Sequence, residues 1–217
     1  MRRSVICGVG SLGVVLGLVA WRINDSTAPE PPFEPKTPLP QAAPLCPWRE
    51  PESDLKWFFP KATRYTPETR ILSGQRLELA ARLGRVPTGD ENALHVFRCY
   101  DEQTPLGEVL TRRVKGDYGA IELVLAVGTN GRVRGLRLQR LREPEPIAAA
   151  IQNPAWLRSF DDWSSDSSWR RSREIPEVAP EARASAEAVA DGVRSLLILL
   201  ATSEEADSPG PVAGRHH

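Results

Sequence analysis

Histidine and cysteine are both scarce here, three of each in 217 residues. His216 and His217 end the chain, which leaves His95 as the one histidine inside the body. It falls in a strand-like stretch, where a hydrogen-bonded or exposed structural role is the ordinary reading. No Gly-x-Ser-x-Gly, His-Glu-x-x-His or P-loop pattern occurs. That removes the common signatures of nucleophilic, zinc-dependent and nucleotide-dependent catalysis. Cys7, Cys46 and Cys99 form no Cys-x-x-Cys pair and have no histidine at zinc-ligand spacing, which argues against a metal site. Cys46 and Cys99 could form one disulfide in an oxidising compartment; the alternative is two unpaired thiols. Net charge is absent too: Lys+Arg and Asp+Glu are both 28. A zero balance makes no electrostatic case for nucleic acid.

Hydrophobic residues make up 41%, enough for a core, and they are unevenly placed. Met1-Arg2-Arg3 precedes an uncharged run over residues 4–21. A bilayer crossing needs about 20 apolar residues, so residues 1–24 read as an uncleaved N-terminal anchor, a transmembrane helix. A cleaved signal peptide is the alternative, but cutting after Ala20 leaves Leu18 where a small residue is wanted, and cutting after Ala28 puts Pro29 next. Cys7 comes too early for a lipoprotein. Arg2 and Arg3 bias the N-terminus to the cytoplasm. The expectation is a single-pass protein of the inner membrane with its C-terminal domain in the periplasm or outside.

Residues 25–54 are a proline-rich linker. Such density excludes helix and central strand and favours extended polyproline II, at about 3.1 Å per residue. A PxxP-type ligand is the functional alternative to a plain spacer.

The body, residues 55–201, is expected to be α+β: an antiparallel sheet of about four strands with a long C-terminal helix packed on it. Trp57-Phe58-Phe59-Pro60 is an apolar cluster to be packed. Ser73 reads as an N-cap for a short helix over 74–83, with Gly84 just past its end. Residues 93–100 and 106–114 read as one hairpin, 120–128 and 133–141 as a second. In the second, Ile121, Leu123, Leu125 and Val127 recur at period 2. Asn130-Gly131 signals a type I′ turn with φ > 0 at both central residues. Asn153-Pro154 opens a short helix over 155–160. Residues 161–176 read as polar loop. Asp161, Asp162 and Asp166 there match no cation-loop spacing. From Ala182 to Ala201 runs the longest helix, with Val189, Val193, Leu196, Leu197 and Leu200 on one face. Residues 202–217 read as a disordered tail, and the final histidine pair as inert.

The start of that last helix is the place of chemical interest. A helix N-terminus suits a phosphate, and Arg183 and Ser185 stand there. A capped, solvated first turn is the plainer reading.

The order of pieces resembles the FMN-binding domain family, which includes the flavin-carrying periplasmic subunits of the Rnf and sodium-pumping NADH:quinone reductase complexes. The matching pieces are Phe59-Pro60-Lys61-Ala62, Gly116-x-Tyr118-Gly119-x-Ile121, Asn130-Gly131 and Arg142-Glu143-Pro144. Trp156-Leu157-Arg158-Ser159-Phe160 and the run from Ala188 to Val193 complete the set. The resemblance implies an FMN site built from Ala182, Arg183, Ser185, Tyr118, Gly119 and Glu143, and an electron-transfer role beside a membrane redox partner. The family's flavinylation motif, Ser-Gly-Ala-Thr-x-Thr/Ser, is degenerate. The chain has Pro180-Glu181-Ala182-Arg183-Ala184-Ser185, with arginine where the acceptor threonine belongs. An arginine forms no phosphoester, so the expectation is FMN held non-covalently, Arg183 pairing with its phosphate and Ser185 donating to it. Two alternatives stand beside it: a flavin-free interaction or scaffold module, and a phosphoester moved to Ser185.

Overall fold

The computed structural model describes residues 51–168 and 176–207. Contacts divide the chain into two units, Met1–Pro47 and Trp48–His217. The first lies outside the described residues, as do the expected anchor, most of the linker, Cys46 and residues 208–217. Among the described residues no helix is long and apolar enough to cross a membrane.

The second unit is α+β. Helix α1 (Glu52–Phe58) precedes strand β1 (Arg64–Ile71), then α2 (Arg76–Leu83). Strands β2 (Ala93–Asp101), β3 (Thr104–Lys115), β4 (Ala120–Gly128) and β5 (Val133–Leu141) follow. Helices α3 (Glu145–Ile151), α4 (Pro154–Arg158) and α5 (Arg183–Asp207) complete it. The strands form one antiparallel sheet in the order β1-β2-β3-β4-β5.

Five strands replace the expected four. The added one, β1, pairs along β2 from Arg64 opposite Tyr100 to Ile71 opposite Ala93. Its sequence hides it, because only Arg70 of its eight residues is buried and Pro67 interrupts it. An edge strand needs no apolar alternation and tolerates a proline. The turn after β4 also differs from expectation. Only Gly131 has positive φ, at 71°, and Asn130 does not. Gly128 N–H donates to Arg132 O at 2.8 Å, and the Asn130 Oδ1 accepts from Arg132 N–H at 3.1 Å. This is the longer loop with one left-handed glycine, rather than the two-residue type I′ turn.

The core has two layers. On one face of the sheet, Leu94, Val96, Leu110, Leu123 and Leu125 meet Val189, Val193, Leu196, Leu197 and Leu200 of α5. Each such buried aliphatic side chain contributes about 1.5–3 kcal/mol. The packing is close at Gly192, where a Cβ would lie 2.6 Å from Leu123 Cδ1 and 2.7 Å from Val114 Cγ1. Leu79 and Leu83 of α2, with Ile151, Trp156 and Phe160, close the far side. Ser195 through Leu200 are therefore buried all round. On the opposite face, Leu55, Phe58 and Phe59 cover Cys99, Val109, Val124 and Ala126. Central strand β4 is thus buried on both faces from Ile121 to Val127. Trp57 is not packed as expected; it is 61% exposed at the outer side of α1.

Two helix ends shift. The 74–83 helix becomes a 3-10 turn over Ser73–Gln75 followed by α2, so Gln75 stands at the cap and Ser73 makes no capping bond. Gly84 does end it in the left-handed conformation, with φ 72°. Helix α5 runs on to Asp207, past the point where the tail was expected. Tertiary partners hold this polar extension. Ser203 Oγ accepts from Arg70 at 3.0 Å and donates to Leu200 O at 2.7 Å, and Arg82 pairs with Glu205 at 3.0 Å.

Candidate functional site

The β3–β4 connection is four residues long, Gly116 to Gly119, and closes on itself: Gly116 N–H donates to Gly119 O at 2.8 Å. Two of its amides point at side chains from distant parts of the chain. Asp117 N–H donates to Ser185 Oγ at 3.0 Å. Tyr118 N–H donates to both oxygens of the Glu143 carboxylate, at 3.3 and 3.2 Å. The loop can lie this close only without side chains at its ends. A Cβ on Gly116 would run into Glu143 Oε1, and one on Gly119 would lie 2.7 Å from Arg142 Cβ.

Of the six residues expected to form a site, the fold therefore gathers four: Tyr118 and Gly119 in the turn, Glu143 after β5 and Ser185 in the first turn of α5. Their side chains face different surroundings. Ser185 is wholly buried, whereas the Tyr118 ring is 67% exposed. Ala182 is buried and belongs to the apolar core. Arg183 is exposed, and its guanidinium makes no ion pair among the described residues.

A phosphate here would need unspent N–H donors and positive charge. The Asp117 and Tyr118 amides of the turn are taken by Ser185 and Glu143. Glu143 also sets a negative charge where the anion would sit. A 3-10 turn over Pro180–Ala182 runs directly into α5. Ala182 N–H donates to Ala179 O and Arg183 N–H to Pro180 O, so these amides are spent on preceding carbonyls. Pro180 has no N–H. The guanidinium of Arg183 is the positive charge that the six expected residues bring. To an FMN phosphate these residues offer one guanidinium and a hydroxyl already bonded to the turn.

Elsewhere the expected minor candidates stay apart. His95 is exposed, with its Nδ1 3.1 Å from Thr69 Oγ1. Cys99 is a buried free thiol, pushed up to about 12 by burial and by the charge of Glu108. Burial, then the charge of Asp162, raises the carboxyl of Asp161. No group of three or more His, Cys, Asp or Glu among the described residues could hold a metal ion.

One polar centre was not anticipated. Glu91 is fully buried in the loop before β2. Arg85 grips its carboxylate with two bonds of 2.7 and 2.8 Å. Arg112 of β3 donates at 3.0 Å, Ser195 of α5 at 2.6 Å and the Thr88 N–H at 2.7 Å. Burial alone would raise this carboxyl. The bonds from Arg85, Ser195 and Thr88 and the charge of Arg112 outweigh it and hold the group well below the usual range. The spacing Thr88-x-x-Glu91 is a capping-box pattern and signals the local half of the cluster. No sequence signal joins it to Arg112 and Ser195. Every acceptor is engaged, so the centre ties loop, sheet and helix together and offers nothing to a ligand.

Compared with known proteins, the chain matches no family model and no curated sequence.

Proposed function

We propose that this domain is a flavin-free interaction or scaffold module built on an FMN-binding-like frame and held at the extracytoplasmic face of a membrane. The observation that carries the reading is the self-occupied turn. The Asp117 and Tyr118 amides, which an anion would need, already bond Ser185 and the Glu143 carboxylate. The membrane placement is supported by the uncharged run at residues 4–21 behind Arg2 and Arg3. The described residues offer no nucleophile, base and orienting partner in one place, so the reading assigns no reaction to the domain itself.

A second reading keeps non-covalent FMN and an electron-transfer role. Its support is the exposed guanidinium of Arg183, without an ion pair among the described residues, two positions before Ser185. One experiment separates the two. The full chain, expressed in a host that has the flavin transferase and purified in detergent, is expected to be colourless and to take up no added FMN. A yellow protein would overturn the first reading. Acid precipitation would then tell bound from covalent flavin, and Arg183→Ala would abolish uptake if its guanidinium holds the phosphate.

A further inference from the structure

Strand β5 is a sheet edge, and its neighbourhood carries an unusual charge for a chain of zero net charge. Arg132, Arg134, Arg137, Arg140 and Arg142 fall within eleven residues. Arg134, Arg137 and Arg140 lie within the strand, spread over about 20 Å at about 3.3 Å per residue, and Arg132 and Arg142 flank it. Arg132, Arg134 and Arg142 are exposed. The Arg137 and Arg140 side chains are 43% and 35% accessible. Arg137 pairs with Asp54 at 2.9 Å, Arg140 lies 3.9 Å from Glu122, both carboxylates themselves buried, and Arg132 donates to Asp162 O at 2.7 Å. Arg134 stands over the Phe59 ring at 5.1 Å, and Arg137 over Trp57 at 5.1 Å. Trp57 itself projects from α1 beside the row, 61% exposed.

We infer that this edge is a docking surface for anionic lipid headgroups, with Trp57 as its interfacial anchor. This rests on the membrane placement proposed above. Guanidiniums along an edge beside an exposed indole match a flat anionic surface: arginine binds phosphate, and tryptophan settles at the headgroup level. A second copy of the chain is a poor occupant, because edge-to-edge pairing would oppose arginine to arginine. An added strand from another protein is disfavoured as well. The start of the edge is already covered, Val133 N–H donating to Trp163 O at 2.8 Å and Asp162 N–H to Val133 O at 2.9 Å.

The test is amide hydrogen exchange on the full chain reconstituted with vesicles of neutral phosphatidylcholine, or of phosphatidylcholine mixed with phosphatidylglycerol. Amides of residues 135–141 are expected to exchange about tenfold more slowly with the anionic vesicles, a difference of about 1.4 kcal/mol. Strand β1, the opposite edge, should not change. About 0.5 M salt should erase the slowing. So should the double variant Arg132→Gln, Arg134→Gln, which leaves the Asp54 and Glu122 pairs intact and gives up the Arg132 bond to Asp162 O. Equal exchange in both vesicles overturns the inference. So does slowing by added polyglutamate without any lipid effect, which would assign the edge to an acidic peptide. Flotation separates the lipid surface from the anchor. A chain that floats with anionic but not neutral vesicles, with β5 protected, keeps the lipid surface and loses the anchor. A chain that floats with neither loses both.

Discussion

Two glutamates in this molecule do similar things with different consequences. Glu91 and Glu143 each accept hydrogen bonds from a loop amide, Thr88 N–H and Tyr118 N–H. Glu91 is sealed from solvent, with two arginines and a serine completing its shell. Glu143 is only half-buried, and it sits where the family resemblance places a ligand. The contrast teaches that a carboxylate on backbone amides is not one kind of feature. Sealed among guanidiniums it holds three elements in place. At a turn in reach of water it acts as a plug, satisfying donors that a ligand would otherwise meet.

The largest effect is expected from Glu91→Ala. It strands Arg85, Arg112, Ser195 and Thr88 at once, and breaking a buried charge cluster from one side costs about 3–5 kcal/mol. Denaturant unfolding should show that loss as a lower midpoint with an unchanged slope. The same carboxyl governs the acid limb. Its folded pKa lies below its unfolded value of about 4.3, so its contribution is present above that pH and lost as pH falls below it. Glu91→Gln should flatten the decline in stability below that pH; an acid limb identical to the parent's would remove Glu91 from this role.

Ser185→Ala comes next. It removes the buried hydroxyl that accepts from the Asp117 N–H in a part-buried bond, a loss of about 1.5 kcal/mol. Thermal unfolding at neutral pH would register it. If stability is unchanged, the serine does not hold the turn to α5.

Glu143→Ala should have a smaller effect on stability, about 0.5–1.5 kcal/mol, because water can replace it on the Tyr118 N–H. Its informative readout is ligand uptake. Unplugging the turn should leave FMN uptake absent if the frame has lost the rest of its flavin site. Titration that shows the variant binding FMN while the parent does not would mean that Glu143 alone blocks an otherwise competent site. The smallest expected signal is at Cys99. Buried and with its thiol pushed up to about 12, it should resist alkylation in the native state and react at the rate of global unfolding.

Some of this fold is visible in one dimension. The hairpin of β4 and β5, with bounds at 120–128 and 133–141, is legible because a central strand's apolar run and an Asn-Gly turn are both local signals. The apolar face of α5 is legible for the same reason: Val189, Val193, Leu196, Leu197 and Leu200 recur at helical spacing and are all buried. At the candidate site, the glycines and Glu143 could be singled out, and the fold does bring Glu143, the Gly116–Gly119 turn and Ser185 together. What their side chains do there was not legible. Ser185 donating to a phosphate and Ser185 accepting from Asp117 N–H look identical in sequence.

By itself, then, the sequence determined the α+β class, the second hairpin, the core face of the last helix and the neighbourhood of the turn. Each rests on periodicity or on the backbone needs of particular residues, which act over a few positions. Only the tertiary structure decided that β1 exists, since Arg64–Ile71 is a strand by pairing with β2 and not by its own pattern. Only it carried α5 six residues past Ala201 to Asp207, held by Arg70 and Arg82 from the far side of the chain. And only it showed the Asp117 and Tyr118 amides already spent, because hydrogen-bond partners 25 and 68 residues apart in sequence are set by packing.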